Sequence, residues 1–243
     1  MNTAANAAVR ISALRKRYGK LLALDAVDLV VPAGEAFGLV GANGAGKTTL
    51  IKCLLDLCAY EAGRIDIFGV AARLTESRRR LAYVPERFMP AYYLRCGEFL
   101  ETMVRTFGLR YDAARVQAML LELELDAGVL ERPVRQLSKG MTQKLGLAAS
   151  FLAQRDLYVL DEPMSGLDPA ARVAVKSVLR RLAAEGRTLF FTSHVLADVE
   201  ELCSSIAVLE KGSVRWHGAP AALCTRYAEP DLEQAFMRCI RGQ

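Results

Sequence analysis

Apolar residues occur along this chain either in short unbroken runs or in alternation with polar ones. The run Val9–Ile11 and the alternating stretch Ala26–Val31 predict strands that form an antiparallel flank. Three further runs, Ala36–Val40, Leu157–Leu160 and Thr188–Phe191, have almost no polar interruption, which is typical of buried strands. The pattern therefore predicts a core of buried strands beside an antiparallel flank.

The stretch 87–154 has a different periodicity, with apolar residues three and four positions apart. It predicts helices over Cys96–Gly108 and Tyr111–Leu125, and a third helix that starts at Ser138, a residue type that caps helix N-termini. We expect this stretch to form a helical subdomain.

Strand patterns return after the helical stretch. Residues 157–209 predict strand, helix, strand and strand, with Gly186 as the stop of the helix. The fold class expected is therefore α/β: a core of residues 1–86 and 155–243, with an antiparallel β flank and a C-terminal helix, interrupted by the helical subdomain at 87–154.

The predicted strand Ala36–Val40 leads into a segment with the spacing G-x-x-x-x-G-K-[ST], and an apolar helix pattern follows it. Glycines let backbone N–H groups converge on phosphate oxygens, the lysine charge meets the β- and γ-phosphates, and the threonine hydroxyl can bind Mg²⁺. A plain glycine turn is the alternative. The residues expected to bind nucleotide here are Gly41, Asn43, Gly44, Ala45, Gly46, Lys47, Thr48 and Thr49.

The apolar run Leu157–Leu160 ends in two carboxylates, Asp161 and Glu162. Carboxylates at the end of a buried strand need a charged partner, because burying them alone is costly. Asp161 suits a Mg²⁺ shell, and Glu162 could polarise the water that attacks a γ-phosphate. An acidic strand end in solvent is the alternative.

Between these motifs lies Leu137–Met141, with the sequence LSKGM. It is similar to the LSGGQ signature of ABC-type ATPases, and physically it is a helix start capped by Ser138, with free N–H groups at Lys139 and Gly140. The resemblance implies that Ser138 and Gly140 bind phosphate. A capped amphipathic helix without a ligand is the alternative.

Other segments resemble the same family in the required order. Tyr18 resembles the aromatic residue that stacks on adenine, Ser165–Asp168 resembles the D-loop, and His194 resembles the switch histidine beside the catalytic residues. Glu86 stands where most members carry glutamine, and a carboxylate there can still approach Mg²⁺. The resemblance covers residues 11–237 and implies a P-loop NTPase (RecA-like) core.

What the resemblance implies is a MgATP-hydrolysing subunit with Lys47, Glu162 and His194 as catalytic residues. Two such subunits, identical or different, would close on ATP and drive a separate transmembrane permease. Glu86, the LSKGM form and the ending Asp231–Phe236 resemble the branch that serves ABC-2-type exporters. A soluble ABC-type ATPase acting on DNA or ribosomes is the alternative function.

The region from Glu86 to Cys96 contains three aromatic residues, Phe88, Tyr92 and Tyr93. They are expected either to contact a cytoplasmic helix of the membrane subunit or to pack in the core.

Composition narrows the possible partners and location. A net charge of +5 without an arginine–aromatic block does not indicate nucleic-acid binding. Apolar stretches fall short of the roughly 18–20 residues that span a bilayer. Residues 1–10 lack the basic segment of a signal peptide, and the six cysteines contain no C-x-x-C pair. We expect a cytoplasmic protein, peripheral on the inner face of the cell membrane, with reduced thiols and no zinc.

Overall fold

The computed structural model describes residues 6–242. The strands are Ala7–Tyr18 (β1), Leu21–Pro32 (β2), Ala36–Val40 (β3), Ala62–Ile67 (β4), Val70–Ala71 (β5), Leu81–Val84 (β6), Leu157–Leu160 (β7), Thr188–Thr192 (β8), Ser205–Glu210 (β9) and Ser213–Gly218 (β10). The α-helices are Lys47–Leu54 (α1), Cys96–Thr106 (α2), Ala113–Glu122 (α3), Lys139–Leu152 (α4), Pro169–Ala184 (α5), Leu196–Leu202 (α6), Pro220–Tyr227 (α7) and Leu232–Arg241 (α8).

The larger sheet has the strand order β10-β9-β3-β8-β7-β6 and is parallel except for the β9–β10 hairpin. Every residue of β3, β7 and β8 is buried, which explains their unbroken apolar sequences. Because β3, β8 and β7 are parallel neighbours, their carboxyl ends lie side by side. The loops that follow Val40, Leu160 and Thr192 therefore meet at one edge.

The smaller sheet has the order β2-β1-β4-β5 and is antiparallel throughout. Its apolar face packs with β3 and helix α1 into one buried cluster, which includes Leu14, Leu50 and Ile51. This flank fixes α1 between the two sheets, and with it the loop that leads into the helix.

Helices α2, α3 and α4 pack together, and their buried residues share one apolar cluster with β6 and β7. Side chains cap two of them: Asp112 accepts hydrogen bonds from the first turn of α3, and Ser138 does so for α4. Phe88 also packs into this region, because its ring fills the space that a side chain at Gly146 would take.

The structure confirms the α/β core, the antiparallel flank and the strands predicted before residue 193. The helix predicted at 111–125 is shorter, Ala113–Glu122, because Asp112 caps it. The prediction that one strand follows another near 193–209 was wrong, since helix α6 separates β8 from β9, and α7 was missed. Helices α6 and α7 are each too short to show a clear helical periodicity in the sequence.

Within residues 6–242, no helix is both long and apolar enough to cross a membrane. Residues 1–5, which belong to the segment on which the signal-peptide inference rests, lie outside the described residues.

Candidate nucleotide-binding and hydrolysis site

Two positions of the loop after β3 have room only for glycine. A Cβ on Gly41 would lie 2.3 Å from the Leu209 carbonyl oxygen, and one on Gly46 would lie 2.8 Å from the Ala23 oxygen. Gly46 also has a φ of 111°, a left-handed conformation that side chains disfavour. The loop is thus wedged between β2 and the β9–β10 hairpin, and its path is fixed before any ligand binds.

Helix α1 begins at Lys47, directly after this loop. Its N-cap, Gly46, has no side chain, so the first-turn N–H groups of α1 carry no side-chain cap. The Lys47 ammonium is buried and donates hydrogen bonds to the carbonyl oxygens of Gly41, at 2.7 Å, and Ala42, at 3.4 Å. The N-terminus of α1 and the positive charge of Lys47 therefore lie together at this loop, and both favour a phosphate group beside it.

Asp161 follows β7 and is 2% exposed. Its Oδ1 accepts a hydrogen bond from the Thr192 hydroxyl at 2.7 Å, and its Oδ2 accepts one from the Thr48 hydroxyl at 3.2 Å. Burial raises the pKa of Asp161, while these two hydrogen bonds lower it; the negative charge of Glu86 adds to the rise. A cation beside Asp161 would relieve the cost of this buried charge.

The donor set around Asp161 consists of carboxylate and hydroxyl oxygens, the ligands that Mg²⁺ prefers. Thr48 and Asp161 are already in contact. Glu86 is exposed and lines the same cavity. These residues would suit a hydrated Mg²⁺ ion.

Glu162 lies beside His194. The histidine Nδ1 is 2.8 Å from Glu162 Oε2, and the Glu162 backbone N–H donates to the Thr192 hydroxyl at 2.8 Å. Glu162 has a φ of 50°, a left-handed backbone conformation in which the extended path of β7 ends. The carboxylate is held at the cavity wall by the histidine, and the histidine remains mostly exposed.

These elements surround one cavity of about 690 Å³. It brings together almost all of the predicted residues of the loop, the metal site and the catalytic pair: Asn43, Gly44, Ala45, Gly46, Lys47, Thr48, Thr49, Glu86, Asp161, Glu162 and His194. Gly41 does not line it and instead supports the loop from behind.

Tyr18 lines the same cavity and is 45% exposed. The Lys16 ammonium lies over the Tyr18 ring, 4.5 Å from its centroid, but Lys16 does not line the cavity. The lysine cation holds the ring by a cation–π contact, and a planar base could stack on a ring that lines the cavity.

Ser138 and Gly140 do not join this site. Ser138 is exposed, and its hydroxyl accepts a hydrogen bond from the Met141 N–H at 3.2 Å. The side chain of Lys139 lies against Gly166, close to the position that a Cβ there would take. The start of α4 therefore adjoins the turn after Glu162 and lies outside the chain's own cavity.

Sequence reasoning missed Thr192, which is fully buried and links both carboxylate residues. One feature of the sequence could have indicated this role. Thr192 puts a hydroxyl at the carboxyl end of an apolar strand, and the neighbouring strand ends in the two carboxylates. Sequence reasoning also missed the walls of the cavity formed by Leu21, Leu22 and Ala23, and by Lys211 and Gly212 in the β9–β10 turn, whereas Ser165 of the predicted D-loop does line the cavity.

The three aromatic residues after Glu86 have different environments. Phe88 packs against Gly146 and, edge to face, against Phe99 at 5.8 Å. Tyr92 and Tyr93 are 66% and 70% exposed and stack edge to face on each other. Phe88 is therefore a packing residue, whereas the tyrosines form a surface.

Comparison with known proteins agrees with this geometry. Residues 24–165, more than half of the chain, match the family described as ABC transporter. An uncharacterized ABC transporter ATP-binding protein of Synechocystis is 38% identical over 83% of this chain, and a Nod factor export ATP-binding protein I of Burkholderia orbicola is 40% identical over 86%. This chain spans 58% and 70% of their respective lengths.

A solved structure of an ATP-binding subunit of an ABC transporter is 30% identical and superposes with a TM-score of 0.88, over 95% of this chain and 98% of that one. The family match thus includes the loop after β3 and the strand that ends in the two carboxylates. The chain belongs to the ABC transporter family, as one of its ATP-binding ATPase cassettes.

Proposed function

We propose that this chain hydrolyses MgATP as one of two cassettes that drive a separate transmembrane subunit in the direction of export. The observation that carries the proposal is the convergence of the phosphate loop, Asp161 and the Glu162–His194 pair on one cavity, with the signature helix outside it. The relatives named for Nod factor export favour export as the direction.

Within the cavity, each group has a distinct role. Lys47 and the N-terminus of α1 bind the phosphates, and Tyr18 stacks on the base. Thr48, Asp161 and Glu86 would hold Mg²⁺, directly or through water, and the bound ion would supply positive charge beside the phosphates. Glu162 accepts the proton of the attacking water, and His194 holds that carboxylate in place.

A second cassette completes the site. Ser138 and Gly140 present a phosphate-binding helix end that the chain's own cavity does not use. We infer that it meets the γ-phosphate bound by another copy or by a related cassette, and that residues 87–154 move with it as a subdomain relative to 1–86 and 155–243.

The partner in the membrane would dock near Tyr92 and Tyr93, beside Met89, which is 87% exposed. Three exposed apolar side chains within five positions form a surface suited to a helix of another protein. This docking would place the cassette peripherally on the inner face of the cell membrane.

The experiment uses Glu162→Gln, which should bind ATP, hydrolyse it very slowly and therefore dimerise on ATP. Ser138→Arg, added to that background, should bind ATP as a monomer without dimerising, since its bulky cation blocks the helix end. Thr106→Arg, an exposed position on α2, is the matched control and should dimerise. Lys47→Ala should bind no ATP.

Three measurements separate ATP binding, dimerisation and hydrolysis. A fluorescent-nucleotide titration measures binding, light scattering with and without ATP measures dimerisation, and a steady-state assay measures hydrolysis. Near wild-type hydrolysis by Glu162→Gln would refute the role of the base. Dimerisation by Ser138→Arg equal to that of Thr106→Arg would refute the shared site.

A further inference from the structure

Two thiols face each other directly behind the adenine side of the cavity. Cys53 lies near the end of α1, and the chain then reverses through Asp56, whose φ of 58° is left-handed. The Leu57 N–H donates to the Lys52 carbonyl oxygen at 2.8 Å, which closes this turn. The turn places the Cys58 Sγ 3.5 Å from the Cys53 Sγ.

This turn is attached to the end of β1 that carries Tyr18. The Arg17 N–H, next to Tyr18, donates to Glu61 Oε2 at 2.8 Å, and the Glu61 N–H donates to the Arg15 oxygen at 3.0 Å. Cys58 is also near enough to the Tyr18 side chain to add to the rise that burial causes in the pKa of Tyr18. A change at Cys58 therefore reaches the ring that we assign to the base.

We propose that Cys53 and Cys58 form a reversible disulfide under peroxide, and that this bond weakens nucleotide binding by displacing Tyr18. The affinity effect rests on the proposed function, whereas formation of the disulfide does not. The sulfurs must approach by about 1.5 Å, since a disulfide bond is about 2.05 Å long. A surface turn that follows a helix end can make this movement.

The chemistry begins at Cys58, the partly exposed member of the pair. Its thiolate attacks one peroxide oxygen; the O–O bond breaks, and the leaving hydroxide takes a proton to become water. The Cys53 sulfur then attacks the sulfenic sulfur, the S–O bond breaks, and the hydroxyl leaves with the Cys53 proton as a second water. Two thiols are oxidised and one peroxide is reduced to two waters.

The second step limits the rate. Burial raises the pKa of Cys53 to about 12, so this sulfur is protonated at neutral pH and is a poor nucleophile until its proton is removed. The pair should therefore be oxidised slowly and should not react as a general peroxide scavenger.

The sequence offers a direct readout of the bond. Trypsin cleaves after Lys52 and Arg64, so both thiols lie in the single peptide 53–64. The disulfide form of this peptide lacks two hydrogens and takes up no alkylating reagent, and dithiothreitol restores both thiols. The full-length reduced protein is treated with hydrogen peroxide, quenched, digested and analysed by mass spectrometry.

Nucleotide affinity is measured on the same samples with a fluorescent ATP analogue. We expect peroxide to weaken binding about tenfold, in the range of a lost aromatic stack, and dithiothreitol to reverse it. Peroxide should not change the affinity of Cys58→Ser, whatever its starting value. Cys224→Ser, which alters a partly buried thiol on α7, should respond like wild type.

Two results would overturn the inference: a peptide 53–64 that stays fully alkylated while Cys224 is oxidised, or a disulfide that leaves affinity unchanged. Reduced wild type that binds no nucleotide would contradict the ATPase assignment and the affinity effect, and the peptide mass would still decide whether the disulfide forms.

Discussion

Removing the Thr192 hydroxyl tests whether this residue holds the catalytic edge together. Thr192→Val keeps the shape of the side chain but removes the donor to Asp161 Oδ1, at 2.7 Å, and the acceptor of the Glu162 N–H, at 2.8 Å. Thr192 is fully buried, so water cannot take the place of its hydroxyl without rearrangement.

The expected cost follows from these two contacts. Losing a hydrogen bond to an ionised carboxylate costs about 1.5–3 kcal/mol, and an unsatisfied buried N–H adds about 1–3 kcal/mol. Because neighbouring contacts relax together and their costs do not simply add, we expect a loss of about 3 kcal/mol in the free energy of unfolding. The Thr192 bond lowers the pKa of Asp161, so its loss raises that pKa. As the pH falls and Asp161 becomes protonated, the difference in free energy of unfolding between Thr192→Val and wild type should therefore become smaller.

Urea unfolding at neutral and acidic pH measures this cost, and steady-state ATP hydrolysis measures the effect on turnover, which should fall strongly. Thr192→Ser is the matched control: it retains the hydroxyl and loses one buried methyl, which costs about 1 kcal/mol. If the valine variant were as stable as the serine variant at neutral pH, the hydroxyl would not be the organising group and the reasoning would be wrong.

Two further substitutions test the site. Because burial raises the pKa of Asp161, its charge destabilises the ligand-free protein at neutral pH, so Asp161→Asn should raise the melting temperature there. This gain should shrink as the pH falls through the raised pKa and be gone below the ordinary value of about 3.9, where Asp161 is protonated in both the folded and the unfolded protein. The variant should also bind MgATP weakly, and a pH series of melting curves with and without MgATP checks both results. Gly41→Ala should destabilise the protein by several kcal/mol, on the order of an overpacked core, because its Cβ would meet the Leu209 oxygen at 2.3 Å. Gly140→Ala, with 3.6 Å of clearance, should melt like wild type and reduce only ATP turnover.

Much of this architecture follows from local sequence. The unbroken apolar runs of β3, β7 and β8 predict buried strands of the core, as the structure has them. The loop at 41–48 and the carboxylates after Leu160 were expected to serve one nucleotide site, and the parallel sheet brings them to one edge.

What the sequence did not show depends on contacts between distant segments. Nothing local marks Thr192 as the link between Asp161 and Glu162, because that role arises only when β8 lies next to β7. The turn at Lys211 joins the cavity for the same reason, since it depends on the Gly212 N–H bonding to the Ala45 oxygen. Helix α6 was missed because seven residues are too few to establish a period.

The contact between Phe88 and Gly146 has a consequence for how related sequences vary. A Cβ at position 146 would come within 2.8 Å of three atoms of the Phe88 ring, so the two positions share one volume. Homologues that carry a side chain at 146 should have a smaller residue at 88, and the pair should covary. Phe88 lies two residues from Glu86, and Gly146 lies on the helix that begins after Ser138. Such covariation would record, across many sequences, a packing constraint that joins the nucleotide site to the helix that we propose serves the site of a second cassette.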